Sequence, residues 1–348
     1  MDSGSPGFAA RLAAALLALN LVPACTPSQR VPAAPPSDDV TFEDGTRRVD
    51  LRFPCGEDTC AGWLFLPPGV ERPPVVVMGT GFSGTRAFAM PAFARVFANH
   101  GLAAFAFDYR HFGDSGGAPR QLVDPWAQLD DWRSALAFVR TLGEVDAERL
   151  ALWGTSMGGG LVVVIGAEDP GVSAIVAQVP GLDTDAEPSG WQMSLGWGLR
   201  LLFTAWADLV KSTWSDEPLT IHAFAPPGEF GMIVDDVSYA AIQKVIPEGS
   251  ESRNEIAARS ILTFDEYNPA DSWESVDVPT LVFATRQDRL APYEAVEAFA
   301  RVNDRVVVET FEGQHFEVYV PPVFDRAADV EARFLLRAFG VSGRAGQP

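Results

Sequence analysis

A serine at position 156 lies between two glycines in the segment GTSMG, residues 154–158. An apolar run at 150–153 precedes it and predicts a buried strand, and a second apolar run at 161–167 predicts a helix. A strand that passes through G-x-S-x-G into a helix is typical of a nucleophile elbow, whose sharp turn exposes the serine hydroxyl above the edge of a sheet. The spacing therefore predicts Ser156 as the nucleophile of acyl-transfer chemistry.

A second match to the pattern, GDSGG at residues 113–117, is similar to the sequence around the nucleophile of trypsin-like proteases. No helix is expected after Ser115, because Ala118-Pro119 continues the loop. The chain before this serine is also too short for the upstream histidine and aspartate of a long all-β protease. We interpret residues 113–117 as a glycine-rich loop that closes a predicted strand at 103–108.

A serine hydroxyl needs a base to take its proton, and histidine is the usual base. The chain has four histidines, at positions 100, 111, 222 and 315. His315 follows the last predicted strand, residues 306–310. Loops that follow parallel strands lie at the same edge of a sheet as the elbow. This placement predicts His315 as the base.

The imidazole in turn needs an acceptor that fixes its tautomer and stabilises the imidazolium. Asp288 follows the predicted strand at 280–284, whose end lies at the same edge of the sheet. The sequence therefore predicts Asp288 as the acid, with Asp108 as the alternative. Asp288 could instead be a solvated loop residue that pairs with Arg286 or Arg289.

Strand and helix patterns alternate along most of the chain. The predicted strands are residues 49–53, 62–66, 75–78, 103–108, 150–154, 174–179, 280–284 and 306–310. The predicted helices are residues 87–99, 124–141, 157–167, 292–302 and 325–338. The later strands are continuous apolar runs, as expected for parallel strands that are covered on both faces. The alternation predicts a doubly wound α/β protein.

The alternation is interrupted between residues 181 and 275, which we predict to be a mainly helical cap inserted into the α/β domain. Apolar residues recur there at helical spacing: Trp191, Leu195, Leu199, Leu202, Phe203, Trp206 and Val210. This stripe predicts the cap's own core. The cap as a whole is also expected to cover an apolar pocket.

The order Ser156, Asp288, His315 resembles that of the α/β-hydrolase superfamily, over about residues 47–340. More narrowly, the chain is similar to bacterial hydrolases of the serine-aminopeptidase-like or X-prolyl-peptidase-like branch, and to fungal polyketide acyltransferases of hydrolase fold. The segments that carry the likeness are CAGWL at 60–64, FDYR at 107–110, GDS at 113–115, VDP at 123–125, WGTSMGG at 153–159, PPGE at 226–229 and GQHF at 313–316. The resemblance implies an α/β-hydrolase fold with a mostly parallel, eight-stranded sheet and helices on both faces.

The tetrahedral intermediate of acyl transfer needs an oxyanion hole, expected here to be two backbone N–H groups. One is the amide of Met157, directly after the nucleophile. The other is expected at Phe82, in the loop after the strand at 75–78. Many relatives carry His-Gly where this chain has Thr80-Gly81, but a backbone donor survives such an exchange. The alternative is that this loop is only a turn into the next helix.

The net charge is −20, from 46 acidic and 26 basic residues. Nucleic acid is therefore not expected as a partner, because its binding needs clustered Lys and Arg. The sequence contains no metal-ligand cluster and no nucleotide-binding loop, so neither a metal nor a cofactor is expected. The expected partner is a small-molecule ester or acyl substrate.

Residues 12–22 form a mostly apolar run after Arg11 that is too short to span a bilayer as a helix, and they predict an export signal. The run ends in VPAC at 22–25, which resembles the lipobox of bacterial lipoproteins and implies lipidation of Cys25. The alternative is a cytosolic protein with an apolar tail.

Cys55 and Cys60 flank four residues between two strand-like runs. This spacing suits a disulfide across a hairpin, which an exported protein would retain. Two buried free thiols are the alternative.

These observations predict a signal peptide at 1–24, a tether at 25–46, a hydrolase core formed by 47–180 and 276–340, and a cap at 181–275. The expected protein is an exported, membrane-anchored serine hydrolase of carboxylic esters. The same residues would also serve an amidase, a peptidase or an acyltransferase. A non-catalytic binding lipoprotein is the alternative of another class.

Overall fold

The computed structural model describes residues 39–186, 194–246 and 253–341. The predicted signal peptide, Cys25 and the tether up to residue 38 lie outside the described residues, as does Trp191. Among the helices of the described ranges, none is long and apolar enough to cross a membrane.

Nine strands form the central sheet, in the order β1-β2-β3-β5-β4-β6-β7-β11-β12. The strands are β1 (Val40–Thr41), β2 (Arg47–Cys55), β3 (Asp58–Leu66), β4 (Pro74–Gly79), β5 (Ala103–Phe107), β6 (Asp146–Thr155), β7 (Ala174–Gln178), β11 (Thr280–Ala284) and β12 (Val306–Thr310). All eight predicted strands are confirmed. The predicted number of strands, eight, is one too low. The additional strand is β1, which pairs with β2 at the edge of the sheet and has only two residues, too few to give a strand pattern in the sequence.

The sheet is parallel from β5 to β12 and antiparallel from β1 to β5. Every residue of β4, β5, β7 and β11 is buried. Strands covered on both faces have no solvated side, which explains why their sequences are continuous apolar runs. The carboxyl ends of β6, β11 and β12 lie at one edge, so the residues that follow them are neighbours in space.

Helices cover both faces of the sheet. They are α1 (Met90–Asn99), α2 (Pro125–Val139), α3 (Met157–Glu168), α6 (Tyr293–Val302) and α7 (Val323–Ala338). Phe93 of α1 and Leu335 of α7 belong to one apolar core, and Leu129 of α2, Val162 of α3 and Phe299 of α6 belong to the other. The five predicted helices are confirmed as the two outer layers of the α/β fold.

The predicted cap region contains α4 (Leu195–Lys211) and α5 (Asp236–Val245), so its described part is mainly helical. It also contains a three-stranded sheet that the sequence analysis missed, in the order β10-β8-β9. These strands are β8 (Thr220–Ala225), β9 (Gly231–Val234) and β10 (Glu255–Ala257). They have three to six residues each, which is too short for a period of two to be distinguished.

The prediction that the apolar stripe of α4 forms the cap's core is wrong. Leu195 is 81% exposed and Phe203 is 70% exposed, and Leu199 and Trp206 are exposed as well. The buried side of α4 instead carries Leu201, Ala205 and Asp208. Asp208 accepts hydrogen bonds from the amides of Leu219 and Arg259 and pairs with the Arg259 guanidinium, so the inward side of the helix carries a buried ion pair.

Cys55 and Cys60 form a disulfide across the β2–β3 hairpin, and both are fully buried. Residues 53 and 60 are paired in the hairpin register, as are residues 55 and 58. Of the two alternatives for these cysteines, the structure has the disulfide.

Candidate active site

Ser156 lies in a strained turn between β6 and α3, with φ 56° and ψ −126°. A positive φ is rare for a residue with a side chain and persists only where the surroundings enforce it. Here the Ser156 amide donates to the Gln178 carbonyl, and the Ser156 carbonyl accepts from the amides of Gly159 and Gly181. The turn leaves the Ser156 side chain half-buried at the edge of the sheet.

The structure brings the three predicted side chains into one hydrogen-bonded line. His315 Nε2 lies 3.0 Å from Ser156 Oγ, and His315 Nδ1 lies 2.7 Å from Asp288 Oδ2. The second carboxylate oxygen, Asp288 Oδ1, accepts from the amides of Leu290 and Ala291, each at 2.9 Å. An ionised carboxylate can only accept hydrogen bonds, so Nδ1 donates and Nε2 is left to accept the serine proton.

The loops that carry Asp288 and His315 are joined by further hydrogen bonds. Thr285 Oγ1 donates to the Gly313 carbonyl at 2.8 Å, and Gln287 Nε2 donates to Glu312 Oε2 at 2.8 Å. These contacts connect the ends of β11 and β12. The relative position of acid and base is therefore built into the edge of the sheet.

The alternative interpretations of the acid do not hold. Arg286 pairs with Glu297, and Arg289 pairs with Asp235, so the arginines beside Asp288 have other partners.

Asp108, the alternative acid, pairs with the buried guanidinium of Arg86 and accepts a hydrogen bond from the Arg86 amide at 2.6 Å. It therefore supports the loop that contains Arg86 rather than His315.

The other three histidines and Ser115 lie elsewhere. His100 ends α1 with its Nδ1 2.9 Å from the Val96 carbonyl, and His222 is exposed on β8. His111 is buried, and burial lowers its pKa to about 4, so it stays neutral.

Ser115 is buried in its loop, where its hydroxyl donates a hydrogen bond to the Asp108 carbonyl and accepts one from the Ala61 amide.

The loop after β4 lies directly against Ser156. A Cβ on Gly81 would come within 2.7 Å of Ser156 Cβ, so only glycine fits at this position. The loop is held from behind, where Tyr109 Oη donates to the Thr80 carbonyl at 3.3 Å and accepts from Trp132 Nε1 at 3.0 Å. Burial raises the pKa of Tyr109, so its hydroxyl remains a donor.

Two amides adjoin the nucleophile. Met157 is the first residue of α3, where N–H groups have no partner within the helix. Phe82 follows Gly81 in the loop. Neither the Phe82 nor the Met157 amide donates a hydrogen bond to another described residue. Both N–H groups are therefore free to donate hydrogen bonds to a developing oxyanion.

Aromatic rings surround the line of polar groups. Phe224 of β8 contacts Phe82 with ring centroids 6.5 Å apart and Phe316 with centroids 5.7 Å apart. Phe316 in turn packs against the His315 ring. The cap thus contributes to an apolar wall beside the candidate nucleophile.

A buried polar cluster beneath the elbow was not identified from the sequence. Tyr319 Oη lies 2.5 Å from Thr155 Oγ1, which also accepts from Gln178 Nε2 at 3.1 Å. Glu331 of α7 is fully buried and accepts from Trp153 Nε1 at 2.8 Å. Burial raises the pKa of Glu331 to about 8. No local motif marks these residues, since they are far apart in the chain.

Among the described residues, one group has side chains spaced to hold a metal ion: Cys55, Cys60 and Asp131. The two sulfurs are joined in the disulfide, and Asp131 pairs with Arg110. While the disulfide is intact, this group has no thiolate with which to bind a metal.

The fold and the site define an α/β hydrolase. The model of the family described as serine aminopeptidase, S33, matches residues 74–314. The match covers more than half of the chain, which therefore belongs to this family of α/β hydrolases.

Individual relatives agree with this assignment. The chain is 33% identical over 289 residues to the quorum-quenching protein AidA of Acinetobacter baumannii strain MDR-ZJ06, covering 83% of this chain and 94% of AidA. It is 26% identical over 246 residues to the polyketide transferase grgF of Penicillium sp., covering 70% and 78%. The predicted likeness to hydrolases of this branch and to polyketide acyltransferases is thus confirmed.

Solved structures show the same fold. The crystal structure of the α/β hydrolase GrgF from Penicillium sp. sh18 has a TM-score of 0.73 at 21% identity, covering 84% of this chain and 99% of GrgF. The crystal structure of the hypothetical protein PA2218 from Pseudomonas aeruginosa has a TM-score of 0.69 at 20% identity, covering 90% and 100%.

Proposed function

We propose that this hydrolase cleaves carboxylic esters through an acyl-enzyme on Ser156. The observation that carries the proposal is the unbroken line from Ser156 Oγ to His315 to Asp288 at a strained strand–helix turn. A nucleophile, a base that contacts it and an acid that orients the base are the three parts that acyl transfer needs.

In the first half of the reaction, Ser156 Oγ attacks the ester carbonyl carbon while His315 Nε2 takes the hydroxyl proton. The carbonyl oxygen becomes an oxyanion, and the amides of Phe82 and Met157 donate hydrogen bonds to it. The intermediate collapses when the bond to the alcohol oxygen breaks and His315 returns the proton to that oxygen. Asp288 stays ionised and stabilises the imidazolium in between.

In the second half, water attacks the acyl carbon and gives its proton to His315 Nε2. Breakage of the bond to Ser156 Oγ releases the carboxylic acid, and His315 reprotonates the serine. Ser156 and His315 thus regain their starting protonation states, and the net reaction is ester plus water to carboxylic acid plus alcohol.

The apolar wall supports a substrate with an apolar acyl group. Phe316 packs against His315, and Phe224 contacts both Phe316 and Phe82, so a hydrocarbon chain against these rings would be removed from water. The likeness to a quorum-quenching protein suggests quorum-sensing signal molecules as one class to test. An acylated lactone, which is a cyclic ester, serves as the probe for this class.

Amide hydrolysis is the second candidate, because the family description names a serine aminopeptidase. An aminopeptidase needs a free carboxylate to bind the substrate's α-amino group. Glu312 bonds to Gln287, Asp235 pairs with Arg289, and Asp108 pairs with Arg86, so these three carboxylates already have partners. A comparison of ester and amide substrates therefore decides between the two candidates.

The experiment compares full-length protein, purified in detergent, with Ser156→Ala on nitrophenyl butyrate, nitrophenyl octanoate, an acylated lactone and aminoacyl nitroanilides. We expect ester turnover to fall by at least about a thousandfold in Ser156→Ala. Ser115→Ala, which changes the other G-x-S-x-G match, is the matched control and should retain turnover. Equal turnover by wild type and Ser156→Ala would refute the proposal. Faster turnover of nitroanilides than of nitrophenyl esters would show that the substrate is an amide and not an ester.

We further propose that the protein is exported and anchored through a lipid on Cys25. The disulfide between Cys55 and Cys60 supports export, because such bonds persist in oxidising compartments. Incorporation of labelled palmitate into wild type but not into Cys25→Ala tests this proposal. Equal labelling of both proteins would contradict it.

A further inference from the structure

Tyr319 connects the two elements that carry the nucleophile and the base. It ends the short helix His315–Tyr319, which begins with the base. Its hydroxyl lies 2.5 Å from the hydroxyl of Thr155, the last residue of β6 and the neighbour of Ser156. One hydrogen bond therefore joins the segment of His315 to the strand that ends at the elbow.

The Thr155 side of this contact is shielded from solvent, and Tyr319 is half-buried. Thr155 is 1% exposed, and its hydroxyl also accepts from Gln178 Nε2, whose residue supplies the carbonyl that holds the Ser156 amide. The Tyr319 ring packs edge-on against Phe88 with centroids 5.1 Å apart. Burial raises the pKa of Tyr319, so the hydroxyl stays protonated. A neutral hydrogen bond in such surroundings is not weakened by competing water.

The direct contact between base and nucleophile cannot last through the proposed reaction. Once Ser156 Oγ carries the acyl group, it has no proton to donate, and the 3.0 Å hydrogen bond to His315 Nε2 is lost. His315 must then hold its position to take a proton from water. The Tyr319–Thr155 bond involves none of the reacting atoms, so acylation of Ser156 removes neither of its partners.

We propose that Tyr319, through its hydrogen bond to Thr155, is a positioning residue that keeps His315 in place during hydrolysis of the acyl-enzyme. The inference rests on the proposed function of Ser156. It assigns to the pair a specific step, deacylation, rather than a general contribution to folding.

The test is Tyr319→Phe, which removes only the hydroxyl. With nitrophenyl butyrate and full-length protein in detergent, we expect kcat to fall by about tenfold, since small displacements of a catalytic group are costly. The ratio kcat/KM covers only the steps up to acylation, and we expect it to fall by less than about threefold. Acid quenching followed by intact-mass measurement should show a larger fraction of acyl-enzyme than in wild type.

Further variants distinguish an effect on the position of His315 from an effect on the stability of the protein. Tyr267→Phe removes a buried hydroxyl that has no hydrogen-bond partner among the described residues, and should leave kcat unchanged. Thr155→Ser keeps the hydroxyl and should retain most of kcat, whereas Thr155→Val loses the bonds to Tyr319 and to Gln178 and should lower kcat at least as much as Tyr319→Phe. In the double variant Thr155→Val/Tyr319→Phe the loss should not exceed that of Thr155→Val, because the Tyr319–Thr155 bond can be removed only once.

The outcomes distinguish this inference from the proposed function. If Ser156→Ala is inactive but Tyr319→Phe keeps its kcat and its acyl-enzyme fraction, the inference alone is refuted. If kcat and kcat/KM fall in equal proportion, the hydroxyl has only a structural role and the inference is also refuted. Turnover by Ser156→Ala equal to that of wild type refutes the proposed function itself.

Discussion

Asp288 uses its two carboxylate oxygens for different purposes: Oδ2 binds His315 Nδ1 at 2.7 Å, and Oδ1 accepts two backbone amides of its own loop. The backbone therefore fixes the carboxylate, and the carboxylate fixes the ring. Both side chains are almost completely buried, 4% exposed for His315 and 2% for Asp288. The tautomer of the base is set by the fold rather than by the substrate.

Asp288→Asn should therefore abolish most of the activity without unfolding the protein. An amide nitrogen that faces Nδ1 favours the wrong tautomer, and we expect kcat to fall by about 10³–10⁴.

Asp108→Asn is the matched change at the alternative acid. It leaves buried Arg86 without that charge partner and should lower the free energy of unfolding by about 3 kcal/mol while the folded fraction stays active. Ester kinetics and urea unfolding are measured on both variants. A large loss of kcat in Asp108→Asn, with kcat retained in Asp288→Asn, would make Asp108 the acid.

Gly81→Ala tests whether the loop after β4 must approach the nucleophile. The added methyl group would come 2.7 Å from Ser156 Cβ and 3.0 Å from the Thr155 carbonyl oxygen, so the loop has to move away. Loss of one oxyanion donor lowers kcat by about 10²–10³, and we expect a loss of that size on nitrophenyl butyrate. Gly143→Ala, at a glycine with nothing within 4 Å of the added carbon, is the control. Unchanged kcat in Gly81→Ala would place the oxyanion hole elsewhere.

Glu331 should make the protein less stable as the pH rises. Burial raises its pKa from 4.5 to about 8. Between these values the folded protein holds a proton on Glu331 that the unfolded chain has released, so the free energy of unfolding falls by about 1.4 kcal/mol per pH unit from this group. Glu331→Gln removes the titration and keeps an acceptor for Trp153. Urea unfolding between pH 5 and 8 should show the stability of the variant rising relative to wild type. Parallel curves would mean that Glu331 does not hold the proton.

The disulfide should stabilise the fold without affecting the reaction. Its loop is short, because the two cysteines are five residues apart, and on the chain-entropy model it contributes about 2 kcal/mol. Cys55→Ala/Cys60→Ala should lower the free energy of unfolding by that amount and leave kcat unchanged. Urea unfolding and ester kinetics on the same preparation measure both. A loss of kcat in the folded variant would contradict a purely structural role.

The three residues of the candidate triad could be predicted because a parallel sheet brings the ends of its strands to one edge. Ser156, Asp288 and His315 each follow such a strand, so their order in the chain was enough to place them together. The amphipathic face of α4 was misassigned for a physical reason. An apolar stripe predicts burial, but the side of α4 that faces inward carries the ion pair of Asp208 with Arg259, and four residues of the stripe are exposed.

The contact between Tyr319 and Thr155 could not be predicted, because it joins residues 164 positions apart. Neither residue belongs to a motif that signals a partner. Such side-chain pairs depend on the angle at which a helix meets a strand end, which periodicity does not encode.

Covalent labelling with a fluorophosphonate, which reacts with an activated serine hydroxyl, tests most directly whether Ser156 is the nucleophile. We expect one adduct per chain, mapped by peptide mass to the segment that contains Ser156, and formed at least about a hundredfold more slowly in His315→Ala. No adduct at Ser156, or an adduct on Ser115 instead, would contradict this expectation.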